Sequence, residues 1–183
     1  MIRLVVAIFA VVGLAHLAAA QTPQSDPVSV LKRLFEARNF ADPAAAAALF
    51  DRDSVIVNVV GTRFAGRDDI RRFMATSTAQ KGKYDLEQVS LAGDIVTWTD
   101  LVTNPLYEKL GIAPVQVAGE AVIREGKIES FVTHFPPNSL AKFEQVCEPA
   151  CETAKAEGVL IVGLLCPQFL AKAKAQMRSA MGR

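Results

Sequence analysis

The spacing of apolar residues changes along the chain, and it predicts helices first and strands afterwards. In the first part, apolar side chains recur every three or four positions, the period of an α-helix with one buried side. Asp26-Pro27 and Asp42-Pro43 each supply a capping residue followed by a first-turn proline. The predicted elements are helices beginning near residues 27 and 43, a β-branched strand over 54–60 and a helix over 67–76.

From Tyr84 onward the period changes to two, which is typical of strands with one buried face. Turns at Gly93 and Gly126 divide this region into two hairpins. The predicted strands cover residues 84–91, 95–103, 115–124 and 127–135, and further helices are expected over 139–146 and 153–181. Helices followed by antiparallel strands predict an α+β domain, with its amino-terminal helices on one face of a curved sheet and a helical extension at the carboxyl end.

The amino-terminal segment has the features of a secretory signal. Arg3 is the only charge before an apolar run that ends in Ala18-Ala19-Ala20, small residues of the kind that signal peptidase accepts. We therefore expect an exported protein, periplasmic or secreted after cleavage near Ala20. An uncleaved anchor helix is the alternative, because about 17 apolar residues approach the length of a membrane span. The predicted organisation is a signal peptide over 1–20, a linker over 21–27, a folded domain over 28–140 and a helical tail over 141–183.

The net charge and the histidine content exclude some classes of function. The chain has 20 Lys and Arg against 19 Asp and Glu, a net charge of +1 that gives no excess to hold a nucleic acid. After cleavage His134 would be the one histidine left, so the usual zinc enzymes are excluded and no metal site is expected. The glycine-rich motifs of nucleotide and dinucleotide binding are absent, so we expect no cofactor.

The carboxyl-terminal tail holds all three cysteines and a basic end. In an oxidising compartment we expect Cys166 to bridge Cys147 or Cys151, with one thiol left over. Three roles are open for the tail: a helix packed over the domain, a helix on an anionic membrane surface, and a dimer contact. Packing is favoured because the apolar run is shorter than the about 20 residues of a spanning helix.

Three sequence segments, together with the order of the predicted helices and strands, resemble a known protein family. They are Ala48-Leu49-Phe50-Asp51-Arg52-Asp53-Ser54-Val55, Phe64-Ala65-Gly66-Arg67-Asp68-Asp69-Ile70-Arg71-Arg72-Phe73 and Glu125-Gly126-Lys127-Ile128. With helix, helix, strand, helix and two long hairpins, the chain resembles the nuclear transport factor 2-like superfamily and its SnoaL-like members over residues 28–140. The resemblance implies a cone-shaped sheet with an apolar pocket between its concave face and the helices. It also implies a surface on the other face that many relatives use to form dimers.

Strand alternation indicates which side chains line that pocket. A two-residue turn pairs Arg124 with Lys127 and therefore Glu120 with Phe131, if the register is regular. Val132 and His134 would then point to the other face. Trp98 and Tyr107 are expected in the core or the pocket wall. The predicted pocket face carries Ala118, Glu120, Val122, Phe131, Thr133 and Phe135.

Three polar residues on otherwise apolar strands are the candidate catalytic groups. A carboxylate of Asp100 or Glu120 buried in the cavity would have its pKa raised by desolvation, as a general acid or base requires. The alternative is that both reach solvent or pair with an arginine. Asn58 would orient a water or a carbonyl, or else would satisfy backbone groups at the strand end.

The resemblance to enzymes of this fold is partial. Asn58 and Asp100 match an asparagine and a carboxylate of the epoxide hydrolases, whereas Trp98 and Thr133 replace their arginine and second aspartate. Ala118 stands where the ketosteroid isomerases have an acidic donor. Two hypotheses follow. The first is a cofactor-independent isomerase, hydrolase or cyclase acting on a small apolar or amphipathic molecule. The second is a non-catalytic ligand-binding or dimerisation module.

The signal sequence gives a first prediction. Intact-mass measurement of the exported protein should show an amino terminus at Gln21, because Ala18-Ala19-Ala20 is the only small-residue site after the apolar run. Retention of residues 1–20 in the mature protein would contradict it.

Overall fold

The structure, a computed structural model, describes residues 26–146 and 167–182. The helices are α1 (Pro27–Asn39), α2 (Pro43–Ala48), α3 (Arg67–Ala79), α4 (Pro105–Lys109), α5 (residues 137–146) and α6 (Pro167–Met181). The strands are β1 (Phe50–Val57), β2 (Arg63–Ala65), β3 (Lys83–Ala92), β4 (Ile95–Thr103), β5 (Val115–Arg124) and β6 (Lys127–His134).

Side-chain caps fix the starts of the first two helices at the predicted places. The Asp26 carboxylate accepts a hydrogen bond from the Ser29 amide at 3.1 Å, and Asp42 accepts one from the Ala45 amide at 2.9 Å. Each cap satisfies an amide that the first helical turn leaves without a partner. Both predicted helix starts are confirmed.

All six strands form one sheet in the order β2-β1-β6-β5-β4-β3. The α+β class is confirmed, but the expectation of a wholly antiparallel sheet is wrong in one pair, because β1 lies parallel to β6. The short strand β2 was not predicted. Strand β1 also ends earlier than predicted, because a turn begins at Asn58. The side-chain oxygen of Asn58 accepts hydrogen bonds from the backbone amides of Val60 and Thr62, at 3.1 and 2.9 Å.

Helix α1 covers one face of the sheet, which we call the inner face. Its Phe35 ring meets the Trp98 ring of β4 edge to face, with centroids 5.9 Å apart. Trp98 in turn lies 4.9 Å from the ring of Phe131 on β6. These aromatic contacts connect the helix to strands from both halves of the sheet and fill the inner side of the fold.

Gly119 allows the indole of Trp98 to lie directly against β5. A Cβ atom at this position would overlap the six-membered part of the indole ring. Gly119 and Trp98 are cross-strand partners in the β4–β5 register. The glycine is therefore required by close approach of a side chain, not by an unusual backbone angle.

A one-residue irregularity changes the predicted pocket face. Strands β5 and β6 pair Arg124 with Lys127 as expected, but the register shifts before Val122, which pairs with Ser130. Glu120 therefore lies opposite Val132 and not Phe131. The predicted inner placement of Ala118, Glu120 and Val122 is wrong, because a bulge reverses the alternation between the two strands.

The residues of β6 follow the predicted alternation. Phe131 and Thr133 are buried on the inner face, whereas Val132 and His134 belong to the opposite face, which we call the outer face. Phe135 follows the strand and is fully buried against Phe143 of α5, with ring centroids 4.8 Å apart.

Helix α6 packs on the domain. Phe169 lies against both Phe135 and Phe143, with centroid distances of 6.0 and 5.4 Å, and the Gln176 amide donates to the Thr133 carbonyl at 3.3 Å. The Lys174 ammonium pairs with Glu144 at 2.5 Å. The apolar side of this helix is thus occupied by the fold, in agreement with the favoured role for the tail.

Several expectations fall on residues outside the described ranges. These are the signal peptide, the start of the helix expected over 153–181, and the disulfide between Cys166 and Cys147 or Cys151. Within the ranges that are described, no helix combines the length and the apolar character needed to cross a membrane.

The contact between Gly119 and Trp98 gives a second prediction. Gly119→Ala should lower the free energy of unfolding by about 1 to 3 kcal/mol, because the added methyl group forces the indole or the strand to move. Urea denaturation followed by circular dichroism measures the change. Ala118→Val is the matched control, since Ala118 is on the same strand and faces the open outer side. Equal stability of Gly119→Ala and the wild type would contradict the packing.

Candidate functional site

Asp100 is a carboxylate buried in the middle of the inner face. It lies on β4, two residues after Trp98, and only 2% of its surface is exposed. The indole Nε1 of Trp98 donates a hydrogen bond to its Oδ1 at 3.0 Å. Asp100 was selected because it is a charge on an otherwise apolar strand face. In the structure its carboxylate is buried and accepts a hydrogen bond from a neutral donor, the Trp98 indole.

Burial raises the pKa of Asp100 from its ordinary value of 3.8 to about 6. The guanidinium of Arg38 and the hydrogen bond from Trp98 oppose this rise, and the Glu87 carboxylate adds to it. A carboxyl group with this pKa exchanges protons readily near neutral pH, which is the property of a general acid or base.

Arg38, whose charge acts on Asp100, is a residue that the sequence reasoning did not select. It lies on α1, and its guanidinium carbon is stacked 3.7 Å from the centre of the Tyr84 ring. Its Nη2 donates to the Ser77 hydroxyl at 3.2 Å, while its Nε is buried with no hydrogen-bond partner. Arg38 follows Leu31 and Leu34 at helical spacing, which places it at the edge of the buried side of α1 and could have identified it.

Two tyrosines complete the polar part of the inner side. The hydroxyls of Tyr84 and Ser77 are 3.3 Å apart. Burial raises the pKa of Tyr107, so its hydroxyl keeps its proton and can donate a hydrogen bond. The Tyr107 ring lies against Phe143 with centroids 5.6 Å apart and packs against the core, which is one of its two expected places.

The three predicted catalytic residues are not brought together. Asp100 faces the inner side, Glu120 is exposed on the outer face, and the side-chain oxygen of Asn58 is engaged in the turn after β1. Among the predicted ligand-binding residues, Trp98, Phe131, Thr133 and Phe135 are buried, whereas Val122 lies on the outer face. Of the three, only Asp100 is thus buried on the inner face.

The outer face carries a separate hollow of about 370 Å³. Its floor is formed by β3 to β6, and Ala180 of α6 contributes to its wall. Glu120 and His134 both line it, and the Thr99 side chain contributes a buried hydroxyl that has no hydrogen-bond partner. The hollow lies on the opposite side of the sheet from Asp100.

Comparison with models of protein families shows to which family this chain belongs. A model of the SnoaL-like domain matches residues 31–131, more than half of the chain. The chain belongs to the SnoaL-like domain family. Among curated proteins, no significant match is found.

Solved structures share the fold of this SnoaL-like chain at low identity. An NTF2-like protein of unknown function from Mesorhizobium loti is 23% identical, with a TM-score of 0.53 and 60% and 90% of the two chains covered. A protein with a ketosteroid isomerase-like fold from Catenulispora acidiphila, in complex with trimethylamine, is 22% identical, with a TM-score of 0.52 and coverage of 62% and 90%. A proposed polyketide cyclase from Sinorhizobium meliloti is 21% identical, with a TM-score of 0.51 and coverage of 57% and 93%.

The interior of this SnoaL-like domain is largely apolar and holds a small number of polar side chains. Asp100 can accept or release a proton, and Tyr107 and Arg38 can donate hydrogen bonds to an oxygen that gains negative charge. In the part of the chain that the structure describes, no cluster of His, Cys, Asp and Glu side chains is arranged to hold a metal ion.

Asp100 gives a third prediction, on stability and pH. Because its pKa is higher in the folded state than its ordinary 3.8, the folded protein binds the proton more tightly. Stability should therefore fall as pH rises from about 4 to about 6 and lose about 3 kcal/mol from this group. Asp100→Asn removes the charge and keeps an acceptor for Trp98. It should raise the free energy of unfolding by about 1 to 3 kcal/mol near pH 8 and change it little near pH 4.

The measurement is urea denaturation over a pH series, followed by the fluorescence of Trp98, the only tryptophan of the chain. Glu120→Gln is the control, because this carboxylate is exposed on the outer face. A loss of stability in Asp100→Asn that is the same at every pH would show that the carboxylate is not destabilised by burial.

Proposed function

We propose that this protein is a cofactor-independent acid–base enzyme that acts on a small apolar or amphipathic molecule inside the cone. The observation that carries the proposal is the buried carboxyl group of Asp100, whose pKa is raised to about 6 in an interior made mostly of apolar and aromatic side chains. Perturbed carboxyl groups of this kind are concentrated at functional sites, because their protonation state can change during a reaction.

The proposed step assigns one role to each polar group. Ionised Asp100 removes a proton from a carbon next to a carbonyl group, or from a water molecule, and later returns that proton to the product. The Trp98 indole holds the carboxylate in place through its hydrogen bond. Protonated Tyr107 donates to the oxygen on which negative charge develops. Isomerisation, cyclisation and hydrolysis all begin with such a transfer.

The related structures support a small-molecule role. One relative is in complex with trimethylamine, and another is a proposed polyketide cyclase. Cyclisation of a polyketide needs removal of a proton next to a carbonyl group, which is the step proposed for Asp100. In the proposed mechanism Asp100 performs that step without a cofactor.

We also propose that the enzyme works outside the cytoplasm. The support is the apolar amino-terminal run with its small-residue cleavage site, together with three cysteines in the tail. An exported acid–base enzyme that needs no cofactor would not depend on a cytoplasmic supply of nucleotides.

A second candidate function is a non-catalytic binding or dimerisation module. Two observations favour it: Glu120 and Asn58 do not join Asp100, and the hollow of about 370 Å³ lies on the outer face. In such a module Asp100 would serve only to hold Trp98, and its replacement would leave ligand binding on the outer face unchanged.

Proton exchange separates the two functions and gives the fourth prediction. In deuterated water, the wild type should exchange the protons next to the carbonyl group in at least one member of a panel of small aromatic ketones and β-diketones, as followed by proton NMR. The rate should rise with pH through an apparent pKa of about 6, because the ionised carboxylate is the base. Asp100→Asn should slow the exchange about a hundredfold or more.

Glu120→Gln serves as the control and should exchange at the wild-type rate, since Glu120 is on the other side of the sheet. An Asp100→Asn variant that keeps the wild-type rate would exclude Asp100 as the base. Absence of exchange with the whole panel would favour the binding module.

A further inference from the structure

The hollow of about 370 Å³ on the outer face is the feature of the molecule that the proton-transfer step does not use. We propose that this hollow is a second binding site, which takes a small organic cation with a primary ammonium group and a short apolar chain. Glu120 and Thr99 hold the ammonium group. The proposal goes beyond the proton-transfer step and does not depend on it, because Asp100 lies on the opposite side of the sheet.

A small side chain on the outer face leaves the space for the hollow. Ala118 of β5 lies between its two cross-strand partners, Thr99 on β4 and His134 on β6, and all three line the hollow. The carboxyl-terminal end of α6 adds Ala180 to the wall. The volume falls within the range of about 300 to 1,000 Å³ that is usual for small-molecule sites. The size of the hollow therefore suits a small ligand.

The first argument for a cation is the row of side-chain oxygens that crosses three strands. Ser90 of β3 pairs with Thr97 of β4, and Thr97 pairs with Glu120 of β5. Among the described residues that line the hollow, Glu120 is the only Asp, Glu, Lys or Arg. None of the ion pairs between described residues involves it. A cleft that presents one uncompensated carboxylate and two hydroxyl groups attracts a cation and repels an anion.

The second argument is the hydroxyl group of Thr99. It is shielded from solvent and has no hydrogen-bond partner within the described ranges. A buried hydroxyl without a partner is costly, so a ligand that donates a hydrogen bond to it is favoured. Thr99 and Glu120 are diagonal neighbours across β4 and β5, a separation of about 7 Å. An ammonium group between them has three N–H donors and can contact both oxygens at once.

The third argument is the apolar part of the lining. Besides the oxygens, the hollow is lined by the short aliphatic side chains of Val89, Ala118, Val132 and Ala180. These side chains offer contact to methylene groups but no partner for a second charge, which would be costly to desolvate there. A short alkyl chain attached to the ammonium group matches this surface.

Binding of n-pentylamine, compared with n-pentanol, tests this assignment. The two probes have the same alkyl chain, and at about pH 7 the amine is protonated whereas the alcohol is neutral. A nitrogen–proton correlation NMR titration measures both the affinity and the place of binding. Pentylammonium should shift the backbone amides of Thr97, Thr99 and Glu120. It should bind about tenfold more tightly than pentanol, the effect of a hydrogen bond to a charged group.

Three variants identify the groups that hold the cation. Glu120→Gln should weaken pentylammonium binding about tenfold and leave pentanol binding unchanged. Thr99→Val keeps the shape of the side chain, removes the hydroxyl and should weaken pentylammonium binding about three- to tenfold. Glu125→Gln is the matched control, because it removes a carboxylate from the exposed turn of the same hairpin, outside the hollow, and should bind like the wild type.

The outcomes of this experiment are decisive in either direction. Equal binding of pentylammonium by the wild type and by Glu120→Gln would overturn the proposal, and so would pentanol binding as tight as that of pentylammonium. If Thr99→Val does not fold, Glu120→Gln carries the test. Absence of shifts with both probes would also overturn it, and sedimentation would then show whether a second copy of the chain covers the outer face.

Discussion

The contact between Trp98 and Gly119 determines how the inner side of this fold is arranged. The indole lies against the glycine backbone and between the rings of Phe35 and Phe131, so a helix and three strands meet at one side chain. The same indole donates its only hydrogen bond to Asp100. The packing at Gly119 and the hydrogen bond to Asp100 are therefore coupled, because a displaced indole would carry its Nε1 donor away from the carboxylate.

The charged groups of the inner side do not form a direct ion pair with each other. A buried carboxylate and a half-buried guanidinium would be least costly as a direct ion pair with all donors satisfied. Here Asp100 is held by Trp98, and Arg38 is divided between Ser77, the Tyr84 ring and an Nε without a partner. Such an arrangement lowers stability, and proteins tolerate this cost mainly where a site needs reactive or unsatisfied groups.

Sequence patterns predicted the fold well because helix and strand periods, caps and turns are local signals. Asp100 was found by the same logic, as a charge on an apolar strand face. Glu120 was placed on the wrong face because one bulged residue reverses the alternation, and a bulge leaves no clear mark in the sequence. Arg38 was missed because an arginine at the edge of a buried helix side usually extends its charge into solvent, and its actual partners come from distant parts of the chain.

The proposed proton transfer depends on what surrounds the Asp100 carboxylate. When a proton is removed from a carbon next to a carbonyl group, the negative charge that arises passes to the carbonyl oxygen, and the base needs enough affinity for the proton to take it from carbon. An Asp100 carboxylate paired directly with a guanidinium would be a weaker base, because a close positive charge lowers the pKa of a carboxyl group. The hydrogen bond from the neutral Trp98 indole, in place of such a pair, leaves the pKa of Asp100 at about 6, which the proposed base requires.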